Sequence, residues 1–198
     1  MKVFKATRSD MTCTMGNGTF RYQLGIPAVA DGSKCGRTGL HACEYVMDCT
    51  RYYDLACRNR FFLAEAGGDI AEDGTDTRIA CTELTLVQEL TRREMAAQAM
   101  VYMVEHPKRA GWEAKRASLE VAADRAEAML PDAIAIARGE SPMVRGAEGA
   151  HLGLIREADG EIVDARLVMV GRNGIRPGIW YTVEDGVLKE AGDEKETD

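Results

Sequence analysis

No apolar run in this chain approaches the ~20 residues that span a bilayer. Its start, MKVFKATRSD, has no continuous apolar segment of the kind that leads a secreted protein. These absences argue against a membrane span and against secretion, and make a cytoplasm the expected compartment. Four motifs are also missing: a Walker loop, GxGxxG, GxSxG and HExxH. The chain therefore advertises no ready-made phosphate cradle, dinucleotide turn, hydrolase elbow or zinc-protease helix. Six cysteines are present, yet none is spaced as the C-x₂₋₄-C knuckle that structural zinc uses. Basic residues form no clustered stripe, which disfavours a nucleic-acid partner.

What is present is a globular composition over 198 residues, 45% hydrophobic and 29% charged, enough for one large domain or two small ones. The net charge of −7 is uneven. The final stretch, EDGVLKEAGDEKETD, holds seven acids against two lysines, whereas the first sixty residues hold nine basic and five acidic residues. A solvated acidic tail over 191–198 is expected from that imbalance.

Periodicity supplies the outline. KVFKAT and TFRYQL read as strands around an Asn17-Gly18 turn. LHA reads as a short strand, followed by a short helix with Val46, Cys49 and Tyr53 on one stripe. RFFLAEAGG is a strand, and another follows an Asp-Gly turn. Leu86 to Glu105 is the clearest helix, with Leu86, Leu90, Met95, Ala99 and Tyr102 near one face and methionines filling a core. Residues 112–131 have helix-forming composition, but SLEVAADRAEAMLP (118–131) and DAIAIARGESPMVR (132–145) also stack as two imperfect fourteen-residue units, and AIAIARG has the period of a strand or solenoid rung. The end reads as a β-meander with turns at Asp159-Gly160, Asn173-Gly174 and Asp185-Gly186. The expected fold is α+β: a Cys-containing module over 1–84, a helical connector and variable middle over 85–131, and a β-rich unit over 132–190.

The densest chemistry is CGRTGLHACEYVMDCTRYYD, residues 35–54. Cys13, Cys35, His41 and Cys43 are the soft ligands a zinc ion would want. His41 and Cys43, two apart on an extended segment, share a face and offer a thiol–imidazole pair, with Asp48 or Glu44 as an orienting acid. The ordinary reading is favoured over both: thiols fill small core gaps, His41 ties the CGRTG loop to the sheet, and Tyr52 and Tyr53 cover the corner. Trp180 and Tyr181 could mark an interface, since aromatics are enriched there. No cofactor is implied.

Six stretches in order carry a resemblance: MKVFKAT…DMTC, FRYQLG, CGRTGLHACEYVMDCTRYYD, GGDI…DGTDTRIAC, AIAIARGESPMVRGAEGAHLGLIRE and GIRPGIWYTVEDGVLKE. Together they resemble an uncharacterised bacteriophage and prophage family with a Gly-(Phe/Leu)-His-Ala-Cys motif and a terminal Gly-Ile-x-Pro-x-x-Trp-Tyr motif. That resemblance implies β-roll-like repeats in the middle and no transferable activity. It makes a phage accessory protein, acting through an unidentified protein partner or by self-association, the leading expectation, in the host cytoplasm or on the virion. The opening strands are also broadly similar to those of ADP-ribosyltransferase-like domains. That second resemblance implies a cleft lined by Arg8, His41 and Tyr53 with Glu83 as the catalytic acid. A small zinc-stabilised binding module is the remaining alternative.

Overall fold

A computed structural model describes residues 1–15, 18–74 and 76–192. The chain divides into two compact units, Met1–Thr91 and Arg92–Asp198. The expected Asn17 turn residue and most of the acidic tail lie outside the described residues.

The first unit contains β1 (Lys2–Thr7), β2 (Thr12–Met15), β3 (Gly18–Arg21), β4 (Ala28–Val29) and β5 (Leu40–Cys43). A 3₁₀ helix follows at Val46–Arg51, then β6 (Arg60–Glu72) and β7 (Arg78–Glu89). The sheet order is β4-β7-β5-β1-β6, and β6 pairs back onto β7. Strands β1, β5, β7 and β6 therefore close a four-stranded barrel, with β4 on the far part of β7. A barrel this small has no lumen; its interior is filled by inward side chains. Val3, Leu40, Phe62, Ala64, Ile79 and Cys81 supply that filling. The inward set on β7 changes parity, from Ile79 and Cys81 to Leu84 and Leu86. Close by, the β6–β7 register shifts between Gly67 and Ile70, with the extra residue on β6. Gly68 sits there at φ +67°, where a Cβ would fall on Thr82 Oγ1.

The second unit contains α1 (Arg92–Glu105), β8 (Ala114–Arg116), β9 (Leu119–Ala128), β10 (Ile134–Gly146) and β11 (His151–Ala158). It continues through β12 (Glu161–Met169), β13 (Tyr181–Glu184) and β14 (Val187–Glu190). Strands β9, β10 and β11 run parallel and in register, with Ile134 opposite both Leu119 and His151. Residues 129–133 connect β9 to β10. A straight ten-residue strand is ~33 Å long, whereas five residues reach at most ~18 Å. The chain can only regain the start of the next rung if each strand curls. It does so at the register shift between Arg138 and Met143. Small inward residues suit the narrow coil: Ala126, Ala128, Ala133, Ala135 and Ala137 are all buried in its core. Antiparallel β8 and β12 cover the two sides of the parallel stack.

The α+β expectation is overturned: 52% of the described residues are strand and 11% helical. The expected connecting helix is shorter and differently employed. Leu86 belongs to β7 inside the barrel, and α1 begins only at Arg92. That helix packs on β10, β11 and β12 within the second unit, with Met95, Met100 and Met103 buried. Gly153 permits the approach: a Cβ there would lie 2.8 Å from Met100 Sδ. Residues 119–128, whose composition favours a helix, form β9 instead, because pairing with β10 outweighs intrinsic propensity. The meander is interrupted as well. Asp159, Asn173 and Asp185 each have positive φ and precede a positive-φ glycine, the backbone of type I′ turns. Yet β13 pairs with β10, not with β12.

Candidate functional site

The barrel unit carries a cleft of roughly 1340 Å³. Its walls come from β1, β5, the β2–β3 region, the 32–39 loop and the segment from Cys49 to Asn59. Sequence and closure explain why it forms here. Between β5 and β6 the chain makes a short 3₁₀ helix and then irregular backbone, and Cys49 to Asn59 from these stretches supply part of the wall. Asp48 pins the turn: its carboxylate accepts from the Thr77 N–H at 3.0 Å and the Thr77 hydroxyl at 2.7 Å, and lies 3.3 Å from the Arg51 guanidinium. Tyr52 and Tyr53 follow directly and enter the wall.

The lining is cationic in an acidic protein. Lys5, Arg8, Arg37, Arg51 and Arg78 line it, against one acid, Asp31, among the described residues. Arg51 is neutralised by Asp48 and Arg78 by Asp73. Among the described residues, no carboxylate pairs with Lys5, Arg8 or Arg37. Arg78 also lies over the Tyr52 ring at 5.4 Å, and Tyr52 donates to Asp76 at 2.7 Å. Burial, reinforced by Asp76, raises the Tyr52 phenol above its ordinary range. Burial likewise pushes Tyr53 up to about 12.

Five of the candidate site residues from the sequence meet here: Arg8, Cys13, His41, Cys43 and Tyr53 all line the cleft. Glu83 does not. It is exposed on β7, paired in register with Val29 and Gly67 and beside the Gly67 backbone. The thiol–imidazole pair is poorly placed for nucleophilic chemistry. His41 Nε2 accepts from the Gly36 N–H at 2.9 Å, so that nitrogen is occupied as a base. Burial, with Lys5 and Arg78 nearby, holds the imidazole below its ordinary pKa. The Cys43 thiol hydrogen-bonds to Cys49, which together with burial raises it well above an ordinary cysteine. It is the reverse of an activated thiolate.

Of the candidate zinc ligands, Cys13, His41 and Cys43 line the same cleft and Cys35 does not. Cys35 donates to the Ala71 carbonyl at 3.1 Å, and Cys13 is buried against the barrel core. No three His, Cys, Asp or Glu side chains gather at metal-binding spacing among the described residues. Of the six thiols, Cys13, Cys43, Cys49 and Cys81 are buried, Cys35 is half-buried and Cys57 is exposed at the cleft. In the other unit, Tyr181 is buried and its hydroxyl accepts from the Arg176 N–H at 2.8 Å. Trp180 is half-buried with the Arg145 guanidinium 4.6 Å from its ring.

Residues 1–98 match the family described as a domain of unknown function, DUF7666. The match takes in the whole barrel unit with its cleft and the GLHAC motif, and it leaves GIRPGIWY outside. No curated protein and no solved structure matches the chain. Among the described residues, no helix is long and apolar enough to cross a membrane.

Sequence reasoning missed Lys5, Tyr22, Arg37 and Arg78 as wall residues. One signal was available: Lys5 follows Val3 by two in β1, so it occupies an inward position of a strand. The other residues are joined only by closure of the barrel.

Proposed function

We propose that the DUF7666-matching unit is a binding module for a small, negatively charged ligand. The observation that carries the reading is the cationic lining of the cleft, where Lys5, Arg8 and Arg37 stand against one acid among the described residues, in a protein of net charge −7. A concave site lined by one sign of charge concentrates ligands of the other sign. Binding is favoured over transfer chemistry because Glu83 lies outside the cleft, His41 is engaged with the loop backbone, and Cys43 is held as a thiol.

The phage setting comes from the sequence resemblance and would place this module in the host cell or on the virion, where a protein partner could read its loaded state. Self-association by stacking of rungs has less support. Each side of the parallel stack carries an antiparallel strand, which presents a different edge from a rung.

Titration of the full chain with adenosine monophosphate and with citrate at low salt tests the reading. Saturable binding that weakens with added salt and is lost in the Arg8→Glu/Arg37→Glu variant is expected. Heatless, unsaturable titrations with both probes would remove it.

A further inference from the structure

Lys5 is buried, 5% exposed, at an inward position of β1. Its Nζ donates to the His41 carbonyl at 2.6 Å and lies 5.2 Å from the centre of the Tyr22 ring. An ammonium has three donors, and that carbonyl accounts for one of them. No carboxylate pairs with it among the described residues. Buried cations in folded proteins are normally paired. The second unit shows the usual arrangement: Arg138, 7% exposed, bonds to Glu157 at 2.6 Å.

Tyr22 presents a second anomaly at the same place. The side chain is 2% exposed, and among the described residues its hydroxyl has no oxygen or nitrogen partner, only the Cys13 thiol beside it. Burial, with the Cys13 thiol beside it, pushes the phenol far above its ordinary range, so it remains a donor. Both side chains line the cleft. Among the described residues, a cation without a carboxylate counter-ion and a buried hydroxyl with only a thiol beside it are complementary to the same group.

We infer that Lys5 and Tyr22 form the oxyanion seat of the cleft, taking a terminal phosphate or carboxylate of the ligand. This rests on the reading of the cleft as an anion site and assigns its deepest contact. Lys5 supplies the charge, Tyr22 donates to a second oxygen, and the exposed Arg8 and Arg37 draw the ligand in from solvent. The two oxyanion sources share this chemistry and differ in geometry and charge, so the probes are phenyl phosphate and benzoate.

Calorimetric titration of the full chain with each probe gives the affinity, and repetition at several salt concentrations gives the electrostatic slope. Lys5→Met is expected to weaken binding of the preferred probe by about 10- to 100-fold. It is also expected to raise Tm, because it removes a buried charge while keeping the stem. Tyr22→Phe, which keeps the ring, is expected to weaken binding by about 3- to 10-fold. Arg8→Ala/Arg37→Ala is expected to flatten the salt dependence. A tighter response to phenyl phosphate assigns a phosphate, and to benzoate a carboxylate. If Lys5→Met and Tyr22→Phe retain wild-type affinity while the arginine variant loses it, the cleft binds anions elsewhere and the seat is wrong. If the wild-type chain binds neither phenyl phosphate nor benzoate, the seat is wrong, and the broader reading is decided separately by the adenosine monophosphate and citrate titrations. A Lys5→Met protein with lowered Tm and unchanged affinity makes Lys5 a structural residue and overturns the inference.

Discussion

The His41 imidazole and the Gly36 backbone N–H are joined by a 2.9 Å hydrogen bond, with the ring nitrogen accepting. The bond ties the CGRTG turn to β5 and requires a neutral ring. Because the folded pKa lies below the ordinary 6.5, the folded state binds fewer protons than the unfolded state as pH falls through that range. The resulting stability is complete above about pH 6.5 and declines below it, towards the folded pKa. Urea midpoints measured from pH 7.5 to 5 should fall more steeply for wild type than for His41→Gln. At pH 7 that variant should cost about 1 kcal/mol. Parallel profiles would mean that the ring does not hold the loop.

Thiol reactivity should separate the cysteines by position. Burial lifts Cys81 to about 11, and contact with Cys49 together with burial raises Cys43. Cys57 is exposed. Maleimide labelling at pH 8 with peptide mass spectrometry should modify Cys57 first and Cys35 more slowly. Cys13, Cys43, Cys49 and Cys81 should react only after unfolding. Early labelling of Cys43 would restore the nucleophile reading.

Asp48 holds the wall of the cleft. It is 2% exposed and accepts from both the backbone and the hydroxyl of Thr77. Asp48→Ala leaves the Thr77 N–H without that acceptor and should cost about 2–3 kcal/mol in urea denaturation. It should also release Tyr52 and Tyr53, seen as a change in tyrosine fluorescence before global unfolding. A loss below ~0.5 kcal/mol would show that Asp48 does not anchor the turn.

Gly153 sets the seat of α1 on the rungs. A Cβ added there meets Met100 Sδ at 2.8 Å and Ile136 Cγ1 at 3.0 Å. Gly153→Ala should destabilise by about 1–3 kcal/mol through overpacking. Shortening the neighbour in Gly153→Ala/Met100→Ala should cost less than the two single changes together. Strict additivity in that cycle would contradict the contact.

Local chemistry was readable where it acts locally. KVFKAT, LHAC and RFFLAEAGG are strands because their residue types prefer a pleated, half-buried backbone. Three X-Gly pairs adopt positive φ because few other dipeptides tolerate it. The repeat character of 119–146 was also visible, while its helix-like composition pointed the other way. Pairing partners settled that conflict, and no propensity contains them. Arg8, His41 and Tyr53 were grouped only through a resemblance, and their meeting with Cys43 in one hollow depends on which strands close the barrel.

Composition, turn chemistry and alternation thus specify most strands and the small, cysteine-rich corner, since each is settled within a few residues of chain. Whether Lys5 faces water or the floor of a cleft, and whether β9 is helix or rung, was settled by contacts between segments far apart in sequence. Such contacts form only when the whole barrel or coil closes, so their energies are not written into any one segment.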